Sequence, residues 1–425
     1  MRLFLRDAAR DGRADKWHGL LRVGVNAVSR MLLGVMVARA AGAFSFAIYV
    51  GLVTVEVLAS TLLTAGVLTA IGSIAPRLDA TEGNALLRYG LRRAIRISIL
   101  ITALLAACSP VAAQLEIHDG ILPLFATSTG AWLCSTATAT ILVARFRSRP
   151  ALVGQGLAYL PAFAAVAWAD HCGTDPLLAL FAGSTGGHLL AVVIMQRALP
   201  EGSGEEVRPR VRAEVAAAGR IVLFGSVANS LCTRVQPFVL AAFGGPVAVG
   251  LFGAANTLVG PLRVLAGAVG DVLRPRLALH QGERGDPRRA SRLIRSAWIA
   301  LLVCGVLGTI VAAWFGEGIG LRVFGPRFGG LGEVLPAAGC FVLLAAIVHV
   351  LVVAMQTQSI EGAAVATRAR TVAAVISLLL VAPACSVDGA RGAFLSMILG
   401  EGLFLFRAVR FLGRTANRTV ELVAA

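Results

Sequence analysis

Twelve apolar stretches recur along the chain with only short polar segments between them, and each is long enough to cross a bilayer. About 20 residues of helix span the roughly 30 Å of hydrocarbon. The stretches fall at 18–40, 44–73, 94–115, 121–144, 151–169, 177–196, 218–243, 246–272, 293–315, 332–355, 371–387 and 390–412. Runs such as "ILITALLAACSPVAAQL" and "WIALLVCGVLGTIVAAWF" are apolar all round. That excludes the strands of a closed barrel, which alternate lipid-facing and lumen-facing residues. The expected class is an all-α integral membrane protein with about 12 transmembrane helices. Composition agrees, since only 15% of residues are charged where soluble domains have about a quarter.

The first stretch follows basic residues and runs into "ARAAGAFS". It is too long for the apolar region of a signal peptide and it contains Arg30, so a retained first helix is expected. The seven cysteines are scattered, mostly inside the stretches, without metal-ligand spacing. They read as small core residues.

A net charge of +16 raises nucleic acid as a partner, and the distribution of the charge argues against it. With the N-terminus inside, thirty-two of the 39 lysines and arginines fall in cytoplasmic segments. Four lie outside (Arg39, Arg322, Arg327, Arg391) and three within spans (Arg30, Arg234, Arg263). This is the positive-inside asymmetry, with both termini cytoplasmic and the basic loops facing lipid headgroups.

Two stretches 199 residues apart repeat. "APRLDATEGNALLRYGLRRAIR" (75–96) and "RPRLALHQGERGDPRRASRLIR" (274–295) share seven identities in 22 without a gap. Each follows the second helix of a six-helix set, and "NAVSR" (26–30) on the first span is answered by "NSLCTR" (229–234) on the seventh. Six helices per half makes the halves parallel repeats, with a substrate path expected at their interface. The expected organisation is an N-terminal half at 1–200, a cytoplasmic linker at 201–217 and a C-terminal half at 218–425. No loop is long enough for a soluble catalytic domain, and H-E-x-x-H, P-loop and G-x-S-x-G patterns are absent, so an enzyme is not expected.

The ionisable residues inside the spans are Arg30, Glu56, His188, Arg234, Arg263, His349 and Glu401, with Asp271 near a cytoplasmic end. Three arginines facing lipid would cost on the order of 9 kcal/mol together, so they must be paired, hydrated or turned toward a ligand. Arg234 lies about 21 Å beyond Arg220 along a straight helix, and Arg263 about 12 Å above Asp271. Pro261, two residues before Arg263, is placed to bend its helix. Glu56 has two readings: the acid that neutralises Arg30 or Arg234, or a cation or proton site. Glu401 falls near the inner end of the last helix beside Arg407. The excess of arginine over acid favours an anion, and the guanidinium fork suits phosphate oxygens. His188 and His349 read as hydrogen-bonded packing residues, and "GSTGG" (183–187) as a close helix contact.

Taken in order, these features resemble the bacterial polysaccharide flippases, relatives of the lipid II flippases and of the multidrug exporters of the MATE type. The resemblance runs the full length. It is carried best by "VGLFGAANTLVGPLRVLAGAVGDVLRPRLA" (249–278), similar to the family's eighth helix and closing proline, and by 321–358, where Phe324 and Gly325 stand in the family's "lfG" outer loop. It implies two bundles alternating around a cationic cavity, with an arginine on the first helix and another on the eighth holding a pyrophosphate. Arg30 and Arg263 occupy those helices. Glu56 departs from the lipid II flippase pattern, which has an arginine on the second helix, and the fourteen helices common in that group are not available.

The expected function is a flippase for an undecaprenyl-pyrophosphate-linked oligosaccharide at the bacterial inner membrane. Arg30, Arg234 and Arg263 would hold the diphosphate, and Glu56 and Asp271 are the candidates for charge pairing or ion coupling. No cofactor or metal is expected beyond H+ or Na+ as coupling ion; a polysaccharide polymerase and other assembly proteins are candidate partners. The alternatives are a cation-coupled multidrug exporter, for which Glu56 would be the essential residue, and a non-transporting member of a polysaccharide assembly complex. The major facilitator class fits less well, because the loop after helix two lacks its G-x-x-x-D-R/K-x-G-R/K-R/K pattern.

Overall fold

In hydrocarbon every backbone N–H and C=O must find its partner within the chain, which leaves a run of 20 apolar residues little choice but helix. The computed structural model describes residues 2–424 apart from 76–77, 109, 111–119, 146, 200–206, 281–286 and 359. Side chains near the chain ends and at some helical positions, Asp271 among them, also lie outside the described set. Among the described residues the chain is helix and short connections, with no strand.

The first helical element, α1, runs Arg2–Leu63 and carries both of the first two expected spans. On a straight helix Arg30 and Glu56 would stand about 39 Å apart. Their side chains meet at 2.6 Å, so α1 folds back on itself between them and forms a hairpin. One π-helical turn, Thr64–Leu68, then leads into α2, Thr69–Ile74. α3, Ala80–Ala107, starts on an Asp79 cap whose carboxylate accepts the Glu82 N–H at 2.8 Å, satisfying one of the orphan donors of a helix start. The end of the third expected span lies outside the described residues. α4 is Ile121–Ala144.

The fifth span is two helices, α5 (Ser148–Ala158) and α6 (Leu160–Cys172), interrupted at Tyr159 just ahead of Pro161. α7 covers Pro176–Gln196. Its Gly183 and Gly187 sit against Pro161, Ala162 and the Ala158 carbonyl, the close contact expected of "GSTGG".

α8, Pro209–Arg234, begins inside the segment expected as linker. The seventh span does not continue as one helix: α8 stops at Arg234, and α9, Gln236–His280, restarts one residue later with Pro237 in its first turn. Gly245, at φ +71°, turns the chain between the seventh and eighth spans, a conformation that glycine adopts without strain. α9 stays helical through Pro261; Gly245 is its one non-helical position. α10 (Pro287–Phe324) and α11 (Leu331–Gln358) follow, and α12, Ile360–Ala424, folds back at Asp388 and Gly389 to give the last two spans. Eight stretches among the described residues are individually long and apolar enough to cross a membrane, and one of them, Glu361–Arg410, holds both of those spans.

Large apolar side chains point outward where a soluble protein would hide them. Trp314 and Leu307 on α10 and Leu379 on α12 are more than half exposed, as lipid-facing positions require. The interior instead holds aromatic packing between the two halves. Phe46, fully buried, meets Phe324 at 6.3 Å and Phe328 at 6.0 Å between ring centroids. Beside them Arg39 donates to the Val323 carbonyl at 2.8 Å and the Arg322 carbonyl at 2.6 Å. These contacts close the seam on the side the charge pattern assigns as outer. Toward the inner side Gly66, in the π turn, lies against Gly219 of α8, and Thr61 and Ser230 hydroxyls are 3.0 Å apart.

Candidate functional site

Between those two closures lies a cavity of about 180 Å³. Both arms of the α1 hairpin, the end of α8 and the middle of α9 line it, and they bring Arg30, Glu56, Arg234 and Arg263 to one space. Four of the five site residues expected from sequence are therefore neighbours. The fifth, Asp271, has its side chain outside the described set.

Of the two arginines that Glu56 could pair with, it meets Arg30. Arg30 Nη2 donates to Glu56 Oε1 at 2.6 Å, with the two side chains 27% and 14% exposed. The guanidinium also lies over the Trp132 ring, 4.4 Å from its centroid, a cation–π contact that holds the charge without neutralising it. Arg234 and Arg263 have no hydrogen-bond or ion-pair partner among the described residues. Burying an uncompensated charge costs several kcal/mol, a cost that polar matter in the cavity would offset.

Local breaks in the helices place these groups. Arg234 is the last residue of α8, and Pro237, at the start of α9, also lines the cavity. The interruption at Val235 brings the end of α8 and the start of α9 to the cavity wall. On α9, Gly253 lets the helix approach α1 closely: a Cβ there would stand 2.7 Å from Val50. Gly260, one turn before Arg263, faces open space.

Sequence reasoning missed the aromatic and hydroxyl part of the lining. Tyr49 and Tyr159, two of the chain's three tyrosines, face the cavity together with Thr54, Ser128 and Asn256. Tyr159 stands at the α5–α6 interruption and its hydroxyl donates to Asn26 Oδ1. A tyrosine two residues before a proline inside an apolar run was the available signal. His188, 2% exposed, packs edge-on to Tyr159 at 5.4 Å. It is buried and packed, but the hydrogen bond expected of it is not made at Nδ1, which has no partner among the described residues, and the residue lines the cavity. His349 lies outside this cavity, and Glu401 pairs with Arg370, not Arg407. Among the described residues no cluster of three His, Cys, Asp or Glu side chains could hold a metal ion.

No protein-family model matches the sequence, and no curated protein does either. Solved structures share the fold. The MATE multidrug transporter DinF-BH in complex with R6G superposes with a TM-score of 0.76 at 15% identity, over 95% of each chain. The eukaryotic MATE transporter AtDTX14 gives 0.75 at 10% identity, covering 94% of this chain and 95% of its own. A MOP superfamily transporter from Pyrococcus furiosus, described as having a binding pocket of reverse polarity that suggests a different function, gives 0.66 at 13% identity over 94% and 96%. The chain thus shares the all-helical fold of the solved MATE transporters.

Proposed function

We propose that this protein is an alternating-access transporter for an anionic amphiphile. The substrate we assign is an undecaprenyl-pyrophosphate-linked oligosaccharide, passed from the cytoplasmic to the periplasmic leaflet of the bacterial inner membrane for surface polysaccharide synthesis. The observation that carries this reading is the pair of unneutralised arginines, Arg234 and Arg263, facing the same cavity as Arg30. One carboxylate among three guanidinium groups leaves that space with an excess of two positive charges, a match for a diphosphate and a repulsive environment for a cation.

In this mechanism the diphosphate is held between Arg234 on one side and Arg263 on the other, while the polyprenyl chain stays in lipid. The Phe46, Phe324 and Phe328 cluster would have to separate to release substrate outward, and the Gly66–Gly219 contact to admit it from inside. H+ or Na+ as coupling ion would act at Glu56. Polysaccharide polymerase and other assembly proteins are the partners this reading implies.

A second reading is a cation-coupled multidrug exporter. It draws on the shared fold with MATE multidrug transporters and on the cavity position of Glu56. The two readings separate in reconstituted vesicles. Arg30→Ala and Arg263→Ala should insert normally and lose movement of a fluorescent lipid-pyrophosphate glycan. Normal glycan movement in both variants, with loss of dye export in Glu56→Gln, would establish the exporter instead.

A further inference from the structure

A second cavity, of about 320 Å³, lies on the side of the first that the charge pattern assigns as inner. Thr61 follows Glu56 by five residues and Ser230 precedes Arg234 by four, so the two cavities are stacked about 6–8 Å apart along the same helices. The lining differs from that of the first. It is a ring of uncharged polar groups, Thr61, Thr64, Ser226, Ser230, Gln356 and Thr367, contributed by the second span, α8, α11 and the first arm of α12, along with His349. Neither Phe, Tyr or Trp rings nor carboxylates line it among the described residues. Its two arginines are Arg274 and Arg370, and Arg370 is held by Glu401 through contacts of 2.6 and 2.7 Å to the two carboxylate oxygens.

The Thr61 and Thr64 hydroxyls donate to the Val57 and Ser60 carbonyls of their own helix at 3.0 and 2.8 Å, so what they present to the cavity is acceptor oxygen, which calls for a ligand group that donates. Serine, threonine and glutamine both donate and accept, so they pair with groups that do the same. An anion uses donors alone and leaves their acceptor capacity idle. A sugar hydroxyl uses both. The Thr61 and Ser230 hydroxyls already bond each other across the seam at 3.0 Å, and a ligand hydroxyl inserted between them replaces that bond with two of the same kind.

We infer that this second cavity is a carbohydrate subsite: it takes the sugar ring attached to the diphosphate that the first cavity holds. The inference rests on the proposed diphosphate site and adds to it a preference for a sugar at the inner side. Occupation of the subsite also parts Thr61 from Ser230, so recognition of the sugar and loosening of the inner seam are one event.

The test uses the full-length protein in detergent with two probes, a short-chain polyprenyl pyrophosphate without sugar and the same lipid bearing one N-acetylhexosamine. The unaltered protein should bind the sugar-bearing probe roughly tenfold more tightly, the value of one or two net hydrogen bonds. Thr61→Val with Ser230→Ala should erase that preference and leave the affinity for the sugar-free probe unchanged. Thr61→Ser should keep the preference, which guards against a merely misfolded double variant. Equal binding of the two probes by the unaltered protein would overturn the subsite while leaving the diphosphate site standing. Binding of neither probe would overturn both.

Discussion

Two arginine–glutamate pairs tie the two arms of helical hairpins in this molecule, and they serve opposite ends. Arg30–Glu56 joins the first and second spans, and Arg370–Glu401 joins the eleventh and twelfth, both at 2.6 Å. Arg370 contacts both carboxylate oxygens, its side chain is 13% exposed against 7% for Glu401, and the Phe404 ring lies beneath the guanidinium at 4.9 Å. Arg30 contacts one oxygen, is twice as exposed, and shares its cavity with two further arginines. Identical chemistry is structural where the carboxylate is saturated. Where it is outnumbered, part of the positive charge remains available to a ligand.

The largest consequence falls on the saturated pair. Glu401→Ala takes the carboxylate from Arg370, whose side chain is 13% exposed beside the second cavity, and loss of one partner of a buried pair costs about 3–5 kcal/mol. The thermal midpoint of the detergent-solubilised protein should drop steeply. Replacing both residues by apolar ones, Arg370→Met with Glu401→Leu, should recover most of that loss. A double variant as unstable as the single one would place the pair's importance in something other than charge.

An intermediate effect belongs to the inner seam near the first pair. Gly219 has no room for a Cβ beside the Gly66 carbonyl, so Gly219→Ala must displace backbone, at a cost of about 1–3 kcal/mol for overpacking. Cysteine labelling of the cavity from the cytoplasmic side should rise in that variant. Unchanged labelling with unchanged stability would remove this contact from the closure.

The smallest effect on stability, and the most informative for ligand binding, is that of Glu56→Gln. Glutamine keeps a hydrogen-bond acceptor toward Arg30, and Trp132 still supports the guanidinium, so folding should change by less than about 1 kcal/mol. Removing the competing carboxylate should tighten pyrophosphate binding up to about tenfold, one charge-assisted hydrogen bond's worth. Weaker binding in Glu56→Gln would mean the carboxylate helps the ligand and does not compete with it.

The all-helical class and most of the apolar spans were legible in the sequence because lipid allows a long apolar run only one backbone solution. What hydropathy cannot see are the interruptions within a run. The breaks at Tyr159 and Val235 and the π turn at Thr64–Leu68 leave composition unchanged, and only Pro161 and Pro237 marked two of them beforehand. Pro261 carried the same signal, yet α9 runs through it as helix; a proline marks a candidate break and the surrounding packing decides. The arginines were legible as costly residues requiring company. Which acid served which arginine was not, because pairing depends on how hairpin arms face each other. For Arg30 and Glu56 the clue was position: both lie 13 residues from Ala43, between the first two spans. No comparable signal linked Arg370 to Glu401.

The account stands most directly on the charge left over in the central cavity. The measurement is equilibrium binding of inorganic pyrophosphate to the purified full-length protein, compared with the Arg234→Ala, Arg263→Ala double variant at matched ionic strength. The predicted result is saturable binding by the unaltered protein that weakens with salt and is lost in a double variant that still elutes as a folded species. Binding that survives loss of both arginines, or a folded unaltered protein that binds no pyrophosphate, would contradict the assignment of this cavity to an anionic substrate.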